Sequence, residues 1–318
     1  MEWPAKIKDY EPLILKWQKE YKEFLKIDYL IQYAGFKVYA LSISDKRYPL
    51  EKKKKHLFMV PHAHEPAGTV ASIDFINQIL TGKDLDGNIC NLNREEILSK
   101  CLLTFIPDAN PGGRMRSPVE FWDGKKYSKQ DFLKFMRGID MQTGKMWKRI
   151  DKWSIKEENP KTIGIVYERI NKYEYVEPNR SKSSSLLRLV KLLCQKYDYN
   201  QLISLHQTEF EDSPYNLQAI LPIIQEDLPE KIKGYNKKWA KEIIKRWQEI
   251  GGNPVPQAEP LGYTGKQREY FIHCWSKIYQ KIPTIIVEIQ NNNLRTPPHK
   301  QLFFMEEAIR LSVERLLK

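Results

Sequence analysis

Apolar residues recur along this chain at two periods, one of about 3.6 residues and one of 2, and segments of the two kinds alternate. Residues 8–27 place Leu13, Leu15, Trp17, Tyr21, Phe24 and Leu25 on one face, which predicts an amphipathic helix. The stretch from Tyr29 to Ser44 alternates around the turn residue Gly35 and reads as two short strands. His56 to Val60 is a short continuous apolar run, and a helical pattern follows over about 69–81. The segment from Asp84 to Asn88 is a loop, and Asn93-Arg-Glu-Glu opens another helix. Further strands are expected at Leu102–Ile106, Leu202–Leu205, Leu217–Ile224 and Thr284–Val287, with helices over 183–199, 230–250 and from Lys300 onward. Residues 112–178 break the rhythm. They are rich in Trp, Lys, Gly and Asp, with weak periodicity, and read as an elaborated excursion carrying a short helix near 129–137. Strands alternating with helices predict an α/β fold, a mixed, largely parallel twisted sheet covered by helices on both faces. No repeat interrupts the pattern, so residues 1–318 read as a single domain.

Composition narrows the class. A 41% hydrophobic and 12% aromatic content supplies a large core, which argues against disorder. The balance of 52 Lys+Arg against 40 Asp+Glu leaves a net charge of +12, a surplus that raises nucleic acid as a partner. The lysines are scattered, however. The one tight run, Lys52 to Lys55, lies between two apolar stretches and reads as a turn, so a solvated basic surface is expected and no nucleic acid. No apolar run suits a signal peptide or a membrane span. Cys90, Cys101, Cys194 and Cys274 are widely spaced, and the last two sit in apolar helical patterns as buried thiols. These features predict a cytoplasmic globular protein.

The candidate chemistry collects where apolar runs give way to polar residues. Val60 leads into Pro61-His-Ala-His-Glu65, Ile106 into Pro107-Asp-Ala-Asn-Pro-Gly-Gly113, Leu205 into His206, and Val287 into Glu288. Ligand sites in open α/β sheets form outside the carboxyl ends of strands, so four such ends point to one shared site. His62 and Glu65 can reach a common point from one tight turn. With His206 they would make the His₂Glu set of a catalytic zinc. His-x-x-Glu by itself is common, and a lone His206 would read as a core histidine. His64 is a rival ligand, although adjacent side chains diverge from a turn, which favours His62. Glu288, flanked by isoleucine and valine, is costly to bury unless used or paired. A desolvated glutamate there could take a proton from an activated water, and a salt bridge to lysine is the plainer alternative.

The motifs Pro-His-Ala-His-Glu-Pro (61–66), Ala-Asn-Pro-Gly-Gly (109–113), Glu-Pro-Asn-Arg (177–180), Ser-Leu-His (204–206) and Ile-Val-Glu-Ile (286–289) together resemble the zinc carboxypeptidase family, the carboxypeptidase A-like metallopeptidases. The match holds in order and roughly in spacing, from about residue 8 to the end. The resemblance implies that family's α/β/α fold and one Zn²⁺ held by His62, Glu65 and His206. It implies hydrolysis of the C-terminal peptide bond by a metal-activated water, with Glu288 as general base. Asn179 and Arg180 would bind the substrate's free terminal carboxylate. Glu177 stands where the family usually has Asp and would orient a ligand histidine. Arg116 is the expected carbonyl-polarising cation, with Arg114 and Arg137 as rivals. Tyr263 matches the mobile tyrosine that covers substrate, and Arg268 falls near the pocket floor, where a cation would favour an acidic terminal side chain. The catalytic pattern begins almost at Met1, so no inhibitory pro-segment is expected. Related metal chemistry allows a desuccinylase-type deacylase, an amidase or a cell-wall peptide-trimming enzyme. A basic nucleic-acid-binding protein without catalysis would leave the strand-end residues unexplained.

Overall fold

A computed structural model describes residues 2–147, 152–209 and 212–318. Its frame is an eight-stranded mixed sheet. The strands are β1 (Leu25–Ile31), β2 (Lys37–Ile43), β3 (Lys54–Met59), β4 (Cys101–Ile106), β5 (Gln201–Thr208), β6 (Leu217–Leu221), β7 (Glu259–Pro260) and β8 (Thr284–Gln290). Their spatial order is β1-β2-β4-β3-β5-β8-β6-β7. The central run β4-β3-β5-β8 is parallel throughout, whereas β1 on β2, β2 on β4 and β6 on β8 are antiparallel. Parallel neighbours need crossover connections, and helices supply them.

The main helices are α1 (Ile7–Glu20), α2 (Pro66–Thr81), α3 (Arg94–Lys100), α4 (Lys129–Arg137), α5 (Ser185–Lys196), α6 (Glu230–Glu249), α7 (Gly265–Tyr279) and α8 (Pro298–Leu317). Strand periodicity sorts them onto two faces. Ile203, Leu205, Ile285, Val287 and Ile289 pack with residues of α1, α2, α6 and α8. Leu57, Met59 and Leu202 pack on the other side with α5 and α7. A third cluster, built on Trp122, Phe132, Met136, Trp153 and Tyr167, gives the excursion its own small core. Residues 148–151 of that excursion lie outside the described residues.

The expected α/β architecture is present, and several boundaries differ. The first helix stops at Glu20, and Leu25 opens β1 because seven residues pair with β2 from Leu25–Ile43 to Ile31–Lys37. Residues 21–27 fit a helical face, but the hairpin satisfies more backbone. Helix α7 contains Cys274 and answers to the apolar helical pattern expected around it, for which the sequence gives no clear bounds. The lysine run is not a solvated turn: Lys54 and Lys55 begin β3, and Lys53 is buried. Its ammonium donates to Ser44 Oγ and to the carbonyls of Asp45 and Leu98, and burial lowers its pKa. All four cysteines are free; Cys101 and Cys274 are buried, while Cys194 is only partly so. Among the described residues no helix is long and apolar enough to cross a membrane.

Candidate metal centre

The predicted ligands reach one point because of three local devices. First, the turn after β3 is pinned on several sides. Glu65 N donates to His62 O, and Pro66 starts α2 at the position where its missing N–H costs nothing. Ala67 N donates to Gln207 Oε1 and Thr69 Oγ1 to Pro107 O. Gly68 lets the helix sit on the sheet, since a Cβ there would lie 2.9 Å from a Val60 methyl and 3.3 Å from Leu205 Cβ. Second, Arg114 lies buried beneath this turn. It donates to His62 O, Glu65 O and Thr69 Oγ1 at 3.0–3.4 Å, and its Nε pairs with Asp108 at 3.6 Å.

The third device is register. Parallel pairing sets Ser204 opposite Ile286 and His206 opposite Glu288. With a two-residue repeat, Ser204, His206, Ile286 and Glu288 share one face while Leu205 and Val287 enter the core. His206 and Glu288 therefore lie inside their strands, two residues before the ends, rather than just beyond them as expected.

His62 Nδ1 is 2.8 Å from Glu65 Oε1 and 3.2 Å from His206 Nδ1, and His206 Nδ1 is 2.9 Å from Glu65 Oε2. Ligand atoms on a tetrahedral ion with bonds of about 2.0–2.1 Å stand about 3.3 Å apart. The two nitrogens, 3.2 Å apart, come close to that edge, each has one Glu65 oxygen at 2.8–2.9 Å, and the donor set is that of a zinc site. A zinc-type ion fits these residues. His62, His64 and Glu65 also form a compact group, with ligand atoms within 4.8 Å of one another. His64 Nε2 stands 3.3 Å from Glu65 Oε1. The set with His206 joins the turn after β3 to β5. Burial pushes the Glu65 carboxyl up, but His62, His206 and His64 outweigh it and hold its pKa well below the ordinary range.

Hydrogen bonds choose the tautomers. Glu177, fully buried, places Oε1 2.6 Å from His62 Nε2, so that nitrogen donates and Nδ1 keeps its lone pair for an ion. Ser204 Oγ lies 2.7 Å from His206 Nε2; its hydroxyl can accept from that nitrogen, which is compatible with the same tautomer in His206. Ser204 was missed in the sequence; its place two residues before His206 on one strand face was the available signal. The Asn179 amide is 3.3 Å from the same His62 Nε2. Trp275 Nε1 holds the Asn179 carbonyl at 2.9 Å, and Ser184 Oγ holds the Pro178 carbonyl.

One pocket collects these groups. His62, Glu65, His206, Asn179, Tyr263 and Glu288 line it, together with Arg137, Met59, Phe271 and Ile286. Three expected residues do not. Arg116 donates to the carbonyls of Gly112, Gly164 and Tyr167, tying the excursion to the chain after β4. Arg268 lies half-exposed on the first turn of α7, outside a pocket whose walls there are Leu261, Phe271 and Tyr279. Arg180 is buried with its Nη1 on Glu177 Oε2 and its guanidinium 5.2 Å from the rings of Tyr263 and Phe271. The two oxygens of Glu177 let it reach Arg180 while still holding His62. The cation lining the pocket is Arg137, at the end of α4, whose Nε is buried without a hydrogen-bond partner among the described residues.

Comparison with solved structures agrees with this frame. Carboxypeptidase A from Helicoverpa armigera superposes with a TM-score of 0.62 at 10% identity, over 100% of this chain and 75% of that one. The fold is that of the metallocarboxypeptidases. A metallo-carboxypeptidase from Burkholderia cenocepacia gives a TM-score of 0.57 at 11% identity, covering 98% of this chain and 68% of its own. Bovine thrombin-activatable fibrinolysis inhibitor, solved with a tick carboxypeptidase inhibitor, gives 0.57 at 12% identity, with 98% and 96% covered. No family model matches the sequence, and no curated protein does.

Proposed function

We propose that this chain is a zinc-dependent peptide hydrolase of the carboxypeptidase type, a single catalytic unit over residues 1–318. The observation that carries the reading is the 2.8–3.2 Å triangle of His62 Nδ1, Glu65 and His206 Nδ1, in one pocket with Glu288. His62, Glu65 and His206 would hold one Zn²⁺, which supplies Lewis acidity that lowers the pKa of a water and polarises a carbonyl. Glu288 accepts the proton of the attacking water at a carboxylate oxygen and passes it to the leaving amine. Arg137 donates to the substrate oxygen on which negative charge gathers. The Asn179 NH₂ and the Tyr263 hydroxyl donate to the terminal carboxylate, and the apolar wall of Met59, Leu261, Phe271 and Ile286 receives the last side chain. With Arg268 outside the pocket, an uncharged terminal residue suits this wall better than an acidic one.

A second reading has one observation in its favour. Arg180 lies outside the pocket, which suits an amidase or deacylase whose substrate lacks a free carboxylate. Paired peptides, identical but for a free or an amidated C-terminus, separate the two. The carboxypeptidase reading expects stepwise release of the last residue from the free acid alone, loss of activity with chelator and recovery with Zn²⁺. Equal cleavage of both peptides would transfer the assignment to the amidase.

A further inference from the structure

We propose that a cavity at the opposite end of the sheet from the metal centre binds a phosphate monoester carried on an aromatic ring. It lies where β3 and β4 begin, at Lys54 and Cys101, whereas His62 and Glu65 follow the carboxyl end of β3. The cavity holds about 540 Å³, within the range of roughly 300–1,000 Å³ usual for small-molecule sites. Phe24, Tyr48, Leu50, Leu102 and Tyr197 supply rings and apolar wall. Lys26, Lys46, Arg47 and Lys53 bring four cations to it, against the carboxylates of Asp45 and Glu51.

Those charges are unevenly matched. Asp45 is taken by Arg47, whose Nη2 stands 2.6 Å from it, and neighbouring Asp28 is taken by Lys196 at 2.8 Å. Among the described residues Lys26, Lys46 and Lys53 form no ion pair with a carboxylate. Lys53 spends its three N–H bonds on Ser44 Oγ and on the carbonyls of Asp45 and Leu98. It therefore offers the floor a charge and no free donor. Lys46 spends one N–H on the Lys22 carbonyl and keeps two. Contact with Lys196, then burial, lowers the Lys26 pKa, which marks a cluster short of negative charge.

The donor set selects the anion. A carboxylate is matched best by an arginine fork, and the fork here is committed to Asp45. Lysines meet a phosphate as point charges from several directions. Lys26 on β1 and Lys46 in the turn after β2 stand exposed at the rim, over a buried floor of Ser42, Ser44 and Lys53. The wall selects the ring. The Lys53 ammonium lies 5.8 Å from the centre of the Tyr48 ring, and that of Lys196 lies 5.5 Å from Tyr197. Aromatic surface and positive charge thus adjoin, and a ligand that joins a ring to a phosphate meets both.

Isothermal titration calorimetry of the full chain with phenyl phosphate, AMP, inorganic phosphate and phenol tests this. Phenyl phosphate or AMP should bind one per chain, and whichever binds tighter tells a simple aryl ester from a nucleotide. Hydrogen bonds to charged groups are worth about tenfold or more in affinity, so inorganic phosphate and phenol, each lacking half of the ligand, should bind about tenfold more weakly or worse. Lys26→Gln and Lys46→Gln should each cost the aryl phosphate about tenfold. Both side chains are exposed, so the thermal midpoint should not move. Tyr48→Ala should weaken the aryl phosphate and leave inorganic phosphate unchanged. Phosphate also binds zinc, so the titration is repeated on chelator-treated protein, where affinity should be the same. Binding lost with the chelator would place the anion on the metal and overturn the proposal. Inorganic phosphate bound as tightly as the aryl ester would mean an adventitious ion only, and would overturn it too. No binding of either aryl phosphate at about 1 mM, or unchanged affinity when Lys26→Gln and Lys46→Gln are combined, would likewise sink it.

Discussion

Replacing Arg114 by methionine separates a structural from a catalytic arginine. Arg114 is buried, pairs with Asp108 and donates to two carbonyls of the ligand turn and to Thr69. Methionine fills most of the volume but leaves Asp108 without its cation in a site where burial already raises the carboxyl pKa. Breaking a buried pair by removing one partner costs about 3–5 kcal/mol. The lost hydrogen bonds share that cost rather than adding to it, because they form one network. Two partners soften the loss, since Asn110 N at 3.0 Å and the Tyr10 hydroxyl at 3.3 Å also donate to Asp108. An expected value near the lower end, about 3 kcal/mol, follows. Urea unfolding of the metal-free chain measures it, with the midpoint falling at constant slope. Adding Asp108→Asn to the same chain should recover part of the loss, since the buried charge is then gone. A change under about 1 kcal/mol, with kcat reduced a hundredfold or more, would refute the argument and return Arg114 to the role of carbonyl polariser.

Other expectations follow from the same geometry. His206→Ala should abolish tight zinc binding, whereas His64→Ala should weaken it by less than about tenfold; equilibrium dialysis of both decides which histidine completes the site. Glu288→Gln should bind zinc normally and hydrolyse peptides about 10²–10⁴-fold more slowly, as read by steady-state kinetics on metal-loaded protein. Arg137→Met should lower kcat about 10²–10³-fold with unchanged stability, while Arg116→Met should lower the unfolding midpoint and leave kcat of the folded protein alone. Burial pushes Glu168 from 4.5 up to about 7, against the Ser185 hydroxyl and amide that stabilise its charge. Between about pH 5 and 7 the folded chain therefore holds a proton that the unfolded chain has released. Stability should fall as pH rises through that window, and Glu168→Gln should flatten the slope in urea titrations at several pH values.

Much of the frame was legible in the sequence because it depends on local alternation. The strands around His56–Met59, Leu102–Ile106 and Leu202–Leu205 stand out as short apolar runs, and the helices after Glu65 and Glu230 carry the helical period. His62, Glu65, His206 and Glu288 were legible for the same reason: a charged or imidazole side chain interrupting a buried run is costly and stands out. The contact expected between Glu177 and a ligand histidine is also present.

Only the tertiary structure decided the arginines and the lysine run. Arg114, Arg116, Arg137 and Arg180 share one side chain and similar neighbours in sequence, so nothing local distinguishes a pocket cation from a buried tie. Each has a reach of several ångströms, and its role is set by whichever carbonyl or carboxylate the fold brings within that reach. Arg116 meets Gly164 and Tyr167, about fifty positions along the chain, and Arg180 meets Glu177. Lys53 finds Leu98 in the same way. The sequence by itself determined which residues are too expensive to bury idle; the fold determined which partners relieve that expense, because partners are matters of distance in space.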